Sequence, residues 1–325
     1  MIKAGIVGGA GYTAGELIRL LIHHPKVKID FIFSTSNAGN KVSQVHQDLY
    51  GSTELTFTNQ VNPNIDVLFL CLGHGNSTSF LQKNEFNKST KIIDLSNDFR
   101  LNENQEFGDL HFVYGLPEMN KSTIKNAQAI ANPGCFATAI QLALLPLAAE
   151  ELIQGDIHIN AVTGATGAGT SLSATTHFTW RDNNFSHYKT FVHQHLGEIN
   201  QTIKSLQKSF EQEVYFIPNR GNFSRGIFAT VYTDFDGTIE EAYELYESFY
   251  KEAKFTHLSP NEIHLKQVVN TNKCLIHLMK HKNKLLVTSA IDNLLKGASG
   301  QAIHNMNLQF GFEEDLALNL KANYF

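Results

Sequence analysis

The sequence predicts an α/β protein of two domains, a Rossmann-type parallel sheet followed by an α+β catalytic domain with a mainly antiparallel sheet. Three observations carry this. Near-continuous apolar strands alternate with helical patterns in the first part of the chain, as in a parallel sheet covered on both faces. Beyond it, strands follow one another with the helices set apart, as in an antiparallel α+β domain. A glycine-rich turn joins the first strand to the first helix. The 325 residues suffice for two domains and a sizeable core, and 42% hydrophobic with 18% charged residues is globular composition.

Taken in order, "IKAGIVGG" is a strand, and residues 14–24 form a helix with apolar Leu17, Ile18, Leu20, Leu21 and Ile22 that stops at Pro25. "KIDFIFS", "IDVLFLCLG" and "KIIDLS" are the next strands, with a helix over 77–85 between the last two, and "AQAIAN" is a further strand. "ANPGCFATAIQLALLPLAAEEL" then opens a long apolar helix. In the second domain "DIHINAVTG", "EVYFIP", "GIFATVYTDF", "IHLKQVV", "NKCLIHLMK" and "KLLVTSAID" read as strands, interrupted by helices over 196–210 and 239–254, with a last helix over 300–308. The domains are set at 1–134 for the dinucleotide-binding part, with 295–325 packing back on it, and 135–294 for the catalytic and dimerisation part.

A net charge of −5 with no basic block argues against a nucleic-acid binder. No apolar stretch is long enough to span a bilayer, and the N-terminus lacks the succession of a secretory signal. Three widely separated cysteines make no disulfide framework. A cytoplasmic protein, with no membrane partner, is expected.

In "GIVGGAGYTAGEL", Gly8, Gly9 and Gly11 permit a tight turn and let backbone N–H groups approach a pyrophosphate. With Ala10, Tyr12 and Thr13 they form the expected dinucleotide loop, and Gly73, past the third strand, joins the cofactor set. The second strand ends in "FIFSTSNAGNK". Ser34, Thr35 and Ser36 replace the acidic residue that would hold a ribose diol, with Lys41 nearby, which suits a 2′-phosphate and hence NADP(H).

Cys71 and Cys274 lie inside apolar strands and read as packing residues. Cys135 instead sits at the mouth of a helix, where unpaired N–H groups and the helix dipole favour a thiolate. His193 and His195 of "KTFVHQHLGEIN" supply a candidate acid/base; no carboxylate or cysteine cluster completes a metal site around them, and no metal is expected.

The motifs "GGAGYTAGEL", "DLSNDFRL", "YGLPE", "ANPGCFAT", "GATGAG", "HQHLGEI", "RGIFATVY" and "AIDNLLKGASGQAIHNMNL", in this order over nearly the whole length, resemble the N-acetyl-γ-glutamyl-phosphate reductase family of arginine biosynthesis. The resemblance implies NADPH-dependent reduction of an acyl phosphate to a semialdehyde and inorganic phosphate. Cys135 falls on the nucleophile and His193 on the acid/base. It places Asn132, Gly164, Thr166, Gly167, Glu198 and Arg225 at the substrate, and Asn293 and Lys296 near the nicotinamide. It implies a homodimer or homotetramer. The chain departs from the pattern in lacking the arginine between the histidines and the proline after them. Arg220 of "NRGNFSRG" is a second candidate for the substrate arginine, and the substrate's acyl group is left open between acetyl and succinyl. A related phosphorylating semialdehyde dehydrogenase is the alternative activity.

Overall fold

The structure, a computed structural model, describes Met1–Phe325. It divides into two compact units: Met1–Pro133 with Ala298–Asn319, and Gly134–Gly297 with Leu320–Phe325. The C-terminal segment therefore does not belong wholly to the first unit, as its sequence suggested. Residues 295–297 stay with the second, and the final residues return to it because Asn323 N donates to Val269 O (3.0 Å) and Asn270 Nδ2 to Lys321 O (3.0 Å).

In the first unit, β1 (Ile2–Val7), β2 (Val27–Phe33), β3 (Val67–Leu70), β4 (Lys91–Asp94), β5 (Glu106–Phe107), β6 (Leu110–Tyr114) and β7 (Ala129–Ala131) form a sheet of order β2-β1-β3-β4-β7-β6-β5. All its pairings are parallel except the β5–β6 hairpin. The strands β5 and β6 were not anticipated. Residues of β3 and β7 are buried throughout, as expected for strands covered on both faces. The helices are α1 (Tyr12–Leu21), α2 (Val42–Val45), α3 (Asn76–Lys83), α4 (Pro117–Asn126) and the returning α9 (Gly300–Gln309). All of α9 is buried; it packs on α1, α4 and β4, and Ser299 Oγ at its start donates to Thr13 O (2.7 Å).

The second unit contains α5 (Cys135–Ala149), β8 (Ile157–Thr163), α6 (Phe178–Arg181), β9 (Ser186–His187), α7 (His195–Leu206), β10 (Val214–Arg220), β11 (Ile227–Asp234), α8 (Ile239–Tyr250), β12 (Thr256–Leu258), β13 (Cys274–His281) and β14 (Lys284–Ile291). Its sheet runs β12-β13-β14-β11-β8-β10-β9. The centre is antiparallel, but β8 pairs β10 and β12 pairs β13 in parallel. The "IHLKQVV" segment is not a strand. It makes a 3-10 turn, Leu265–Gln267, because the Gln267 side chain accepts from His264 N (2.8 Å) and curls the chain.

Burial alternates with period two along β8 and β11, so one sheet face is covered while the other carries half-buried and exposed side chains. Helix α5 packs on β11 and β14, and also meets α7 and α8 in the covering layer. Its interior Pro146 has no N–H for Leu142 O. The hydroxyl of Tyr250, on α8, donates to that carbonyl (2.5 Å), and Tyr246 to the neighbouring Ala143 O (2.6 Å). Tyr250→Phe leaves a buried acceptor without this donor and is expected to destabilise the protein by about 1–2 kcal/mol. The urea midpoint followed by circular dichroism checks this, and an unchanged midpoint would contradict it.

Candidate active site

The glycine loop of the first unit is shaped by contacts that exclude side chains. Gly8 has φ +79°, and a Cβ there would lie 2.4 Å from Cys71 O; one on Gly9 would lie 2.4 Å from Ile32 Cγ2. Both N–H groups donate to Phe33 O at the end of β2, at 3.2 and 3.0 Å. The buried His46 ring places Nε2 2.7 Å from Gly9 O. Gly11 caps α1 with no side-chain acceptor, which leaves the first N–H groups of the helix, among them those of Tyr12 and Thr13, for an external anion. A helix N-terminus with no side-chain cap, behind a closely packed glycine turn, fits a dinucleotide phosphate.

At the end of β2, Ser34 is buried while Thr35 and Ser36 are exposed. Asn37 Nδ2 donates to Ser34 Oγ (3.2 Å) and Ser36 Oγ (3.1 Å), and no carboxylate is among these residues. Lys41 is engaged by Glu54 (2.6 Å) in an exposed pair. Ala10 is half-buried in the loop and Gly73 exposed. Asn132, also in this unit, is buried. Its carbonyl accepts from Arg100 Nε (2.8 Å), its Nδ2 donates to Ala298 O (3.0 Å) and its Oδ1 accepts from Asn305 (3.1 Å).

The thiol belongs to the second unit. Gly134 is the N-cap of α5, and its N–H donates to Glu198 Oε2 (2.9 Å) within the interior. Glu198 lies in the first turn of α7 and is 3% exposed, so its carboxylate is directed at the residue before the thiol. Gln141 Nε2, about two turns further along α5, donates to Glu198 O (3.0 Å) and Thr202 Oγ1 (2.8 Å). The starts of α5 and α7 are thereby joined, and Cys135, a half-buried cysteine in no disulfide, is the first residue of α5.

His193 precedes α7 and His195 opens it. His195 N donates to His193 Nδ1 (3.2 Å), which leaves Nε2 to bear the hydrogen of the neutral ring. Phe136, Tyr188 and Phe216 surround the His193 ring edge-to-face at 5.4–5.6 Å. Burial, with the charges of Lys189 and Arg220, lowers its pKa to about 4. His195 is 3.9 Å from Glu198 through Nε2 and Oε1.

Tyr188, which sequence reasoning did not single out, has its phenol pushed up to about 12 by burial and by the charge of Cys135, against the pull of Arg220. The Arg220 guanidinium lies over its ring at 4.4 Å and donates to Thr175 Oγ1 (2.9 Å). Arg220 thus stands beside His193 and Tyr188. Arg225 instead forks onto the buried Asp292 carboxylate at 3.0–3.2 Å. Gly164, Thr166 and Gly167 form the turn after β8. A Cβ on Gly164 would lie 2.5 Å from Ser224 O, and Thr166 Oγ1 donates to Ser224 O (2.6 Å). Asn293 and Lys296 are buried in this unit, with Asn293 committed to Gly226 N (2.7 Å) and Thr166 Oγ1 (3.1 Å).

Family models described as "Semialdehyde dehydrogenase, NAD binding domain" and "Semialdehyde dehydrogenase, dimerisation domain" match residues 3–127 and 135–293. Proteins named N-acetyl-gamma-glutamyl-phosphate reductase from Christiangramia forsetii, Flavobacterium johnsoniae and Phocaeicola vulgatus are 65%, 61% and 57% identical, each over 100% of this chain and 100% of its own. The chain belongs to the N-acetyl-gamma-glutamyl-phosphate reductase family. Members of that family are phosphorylating semialdehyde dehydrogenases, oxidoreductases that use a nicotinamide cofactor. The fold of this reductase-family chain is also that of aspartate semialdehyde dehydrogenase II from Vibrio cholerae, solved with ASA (TM-score 0.73, 15% identity, covering 96% of this chain and 98% of that one). The Candida albicans enzyme, solved with NADP, is similar too (TM-score 0.69, 14% identity, 95% and 98% covered).

With the thiolate removed in Cys135→Ala, the His193 imidazole is expected to titrate near pH 4, well below its ordinary 6.5. Proton NMR of the ring checks this, and a midpoint at or above 6.5 would contradict the burial described.

Proposed function

We propose that the protein reduces an N-acyl-γ-glutamyl phosphate to the semialdehyde and inorganic phosphate through a thioester on Cys135. The observation that carries this is the thiol at the mouth of α5, with Glu198 holding the preceding N–H and a neutral, enclosed His193 close by. The Cys135 thiolate attacks the acyl carbon and the C–O bond to phosphate breaks, so phosphate leaves with the bonding pair. First-turn N–H groups of α5 and the Nε2–H of His193 hold the oxyanion of the tetrahedral state. NADPH, when bound, supplies the hydride to the thioester carbon. His193 keeps its Nε2–H bonded to the resulting oxygen as the C–S bond breaks, which frees the aldehyde and restores the thiolate.

Arg220, with its charge beside His193, is the side chain we assign to an anionic group of the substrate. The preference for NADP over NAD rests on Ser34, Thr35 and Ser36, which offer hydroxyls where a carboxylate would repel a 2′-phosphate. The three cysteines, none in a disulfide, suit a reducing cytoplasm.

We also assign the open face of the second sheet to self-association. His158 is stacked there between Tyr215 (5.2 Å) and Tyr232 (4.8 Å), and Tyr232 keeps 41% of its surface exposed. The family model over residues 135–293 is described as a dimerisation domain, which supports this use.

Phosphate-dependent oxidation of N-acetyl and N-succinyl glutamate semialdehyde, with NADP⁺ and NAD⁺, tests the activity. Turnover is expected with NADP⁺ and is expected to vanish in Cys135→Ser, which should still bind NADPH; retained turnover in that variant would exclude the thioester. In sedimentation, Tyr232→Lys is expected to shift an oligomer towards monomer, whereas an unchanged profile would move the interface elsewhere.

A further inference from the structure

We infer that Arg225, Asp292 and Gly297 are positioning residues for Cys135: a buried ion pair holds the turn after β14, and Gly297 of that turn bears on the Cys135 backbone. This rests on Cys135 being the nucleophile of the proposed reaction.

Asp292 directly follows β14 and has no exposed surface. One of its carboxylate oxygens accepts from Leu294 N (2.8 Å) and Leu295 N (3.2 Å), the other from Asn270 N (2.6 Å). The Arg225 fork adds Nε to Oδ2 at 3.1 Å and Nη2 to both oxygens at 3.0–3.2 Å. A buried carboxylate persists as an ion only when its charge and lone pairs are matched in this way. The guanidinium edge of Arg225 that carries Nε and Nη2 is thereby committed to Asp292.

The same turn closes on itself through Gly297 N to Asp292 O (2.9 Å). A Cβ on Gly297 would lie 2.8 Å from Cys135 Cβ and 3.1 Å from Cys135 Cα. These are the fixed inner atoms of the cysteine, not the end of a flexible side chain, so an added methyl must push this turn and the residue that carries the thiol apart. Asn293 secures the turn from its other side, through Gly226 N and Thr166 Oγ1. The chain from Arg225 to Cys135 thus runs through one ion pair, one backbone turn and one close contact.

The test compares Gly297→Ala and Arg225→Lys with the wild type in two measurements. The first is alkylation of Cys135 by iodoacetamide across pH, without substrate, read by mass spectrometry of its peptide; Cys71 and Cys274 are buried and serve as internal controls. The second is kcat and KM for the acyl phosphate. In both variants the alkylation profile is expected to change. Turnover should fall about 100-fold, as for a reacting atom moved by about an ångström, with KM held within about threefold. Should Arg225→Lys fail to fold, Gly297→Ala decides alone, because its methyl is aimed at Cys135. An unaltered alkylation profile overturns the inference, and with a raised KM in Arg225→Lys it hands that arginine to the substrate. Loss of the nucleophile reading would show separately, as turnover retained in Cys135→Ser.

Discussion

The burial of α5 is the constraint on which the second unit depends. Thirteen of its residues, Phe136 to Ala148, are buried, so the helix has no solvent face and must lie inside a layer made by α7, α8 and the sheet. Only its ends can reach a ligand. The N-terminal end carries Cys135, and the backbone donors that any helix leaves unpaired there are the ones an oxyanion can use. Packing that a core requires anyway therefore delivers a thiol to a defined place with oriented dipoles around it.

Charge is distributed around that place in two ways. Near His193 the cations Lys189 and Arg220 lie beside a ring already disfavoured from protonation by burial, so the imidazole stays neutral and keeps a defined hydrogen on Nε2. Behind the thiol, by contrast, positive charge is cancelled: Arg225 and Asp292 neutralise one another within hydrogen-bond reach. Two arginines only five positions apart in "RGNFSR" thus face different tasks, one beside the histidine and one in the framework.

Much of the architecture was legible in the chain. The glycine turn after "IKAGIV" could be placed because strand, Gly8 at positive φ and helix are local features, and the helix after Cys135 because its apolar run is continuous. "IHLKQVV" misled because alternation of apolar and polar residues does not exclude a 3-10 turn, and the deciding bond, from His264 N to the Gln267 side chain, leaves no periodic trace. The chain also gave no sign of parallel pairing between β8 and β10, which depends on α7 crossing between them. At the site, Cys135 and His193 stand out by type and position. Tyr188 does not, since its tie to both arises only when β9 and the loop after it fold against α5. Arg225 could not be told from Arg220 because the partner that distinguishes them, Asp292, lies far along the sequence.

Pro146 gives the long helix an axial index. Tyr246 and Tyr250 grip carbonyls near its middle, while Glu198 grips the N–H just before its beginning. At about 1.5 Å per residue, Cys135 stands roughly 16 Å from the proline. Sliding the rod by a single residue would break both sets of clamps at once. The depth of the sulfur is consequently gauged from one fixture beside it and another further down the rod, and wear at either one would be felt at the tip.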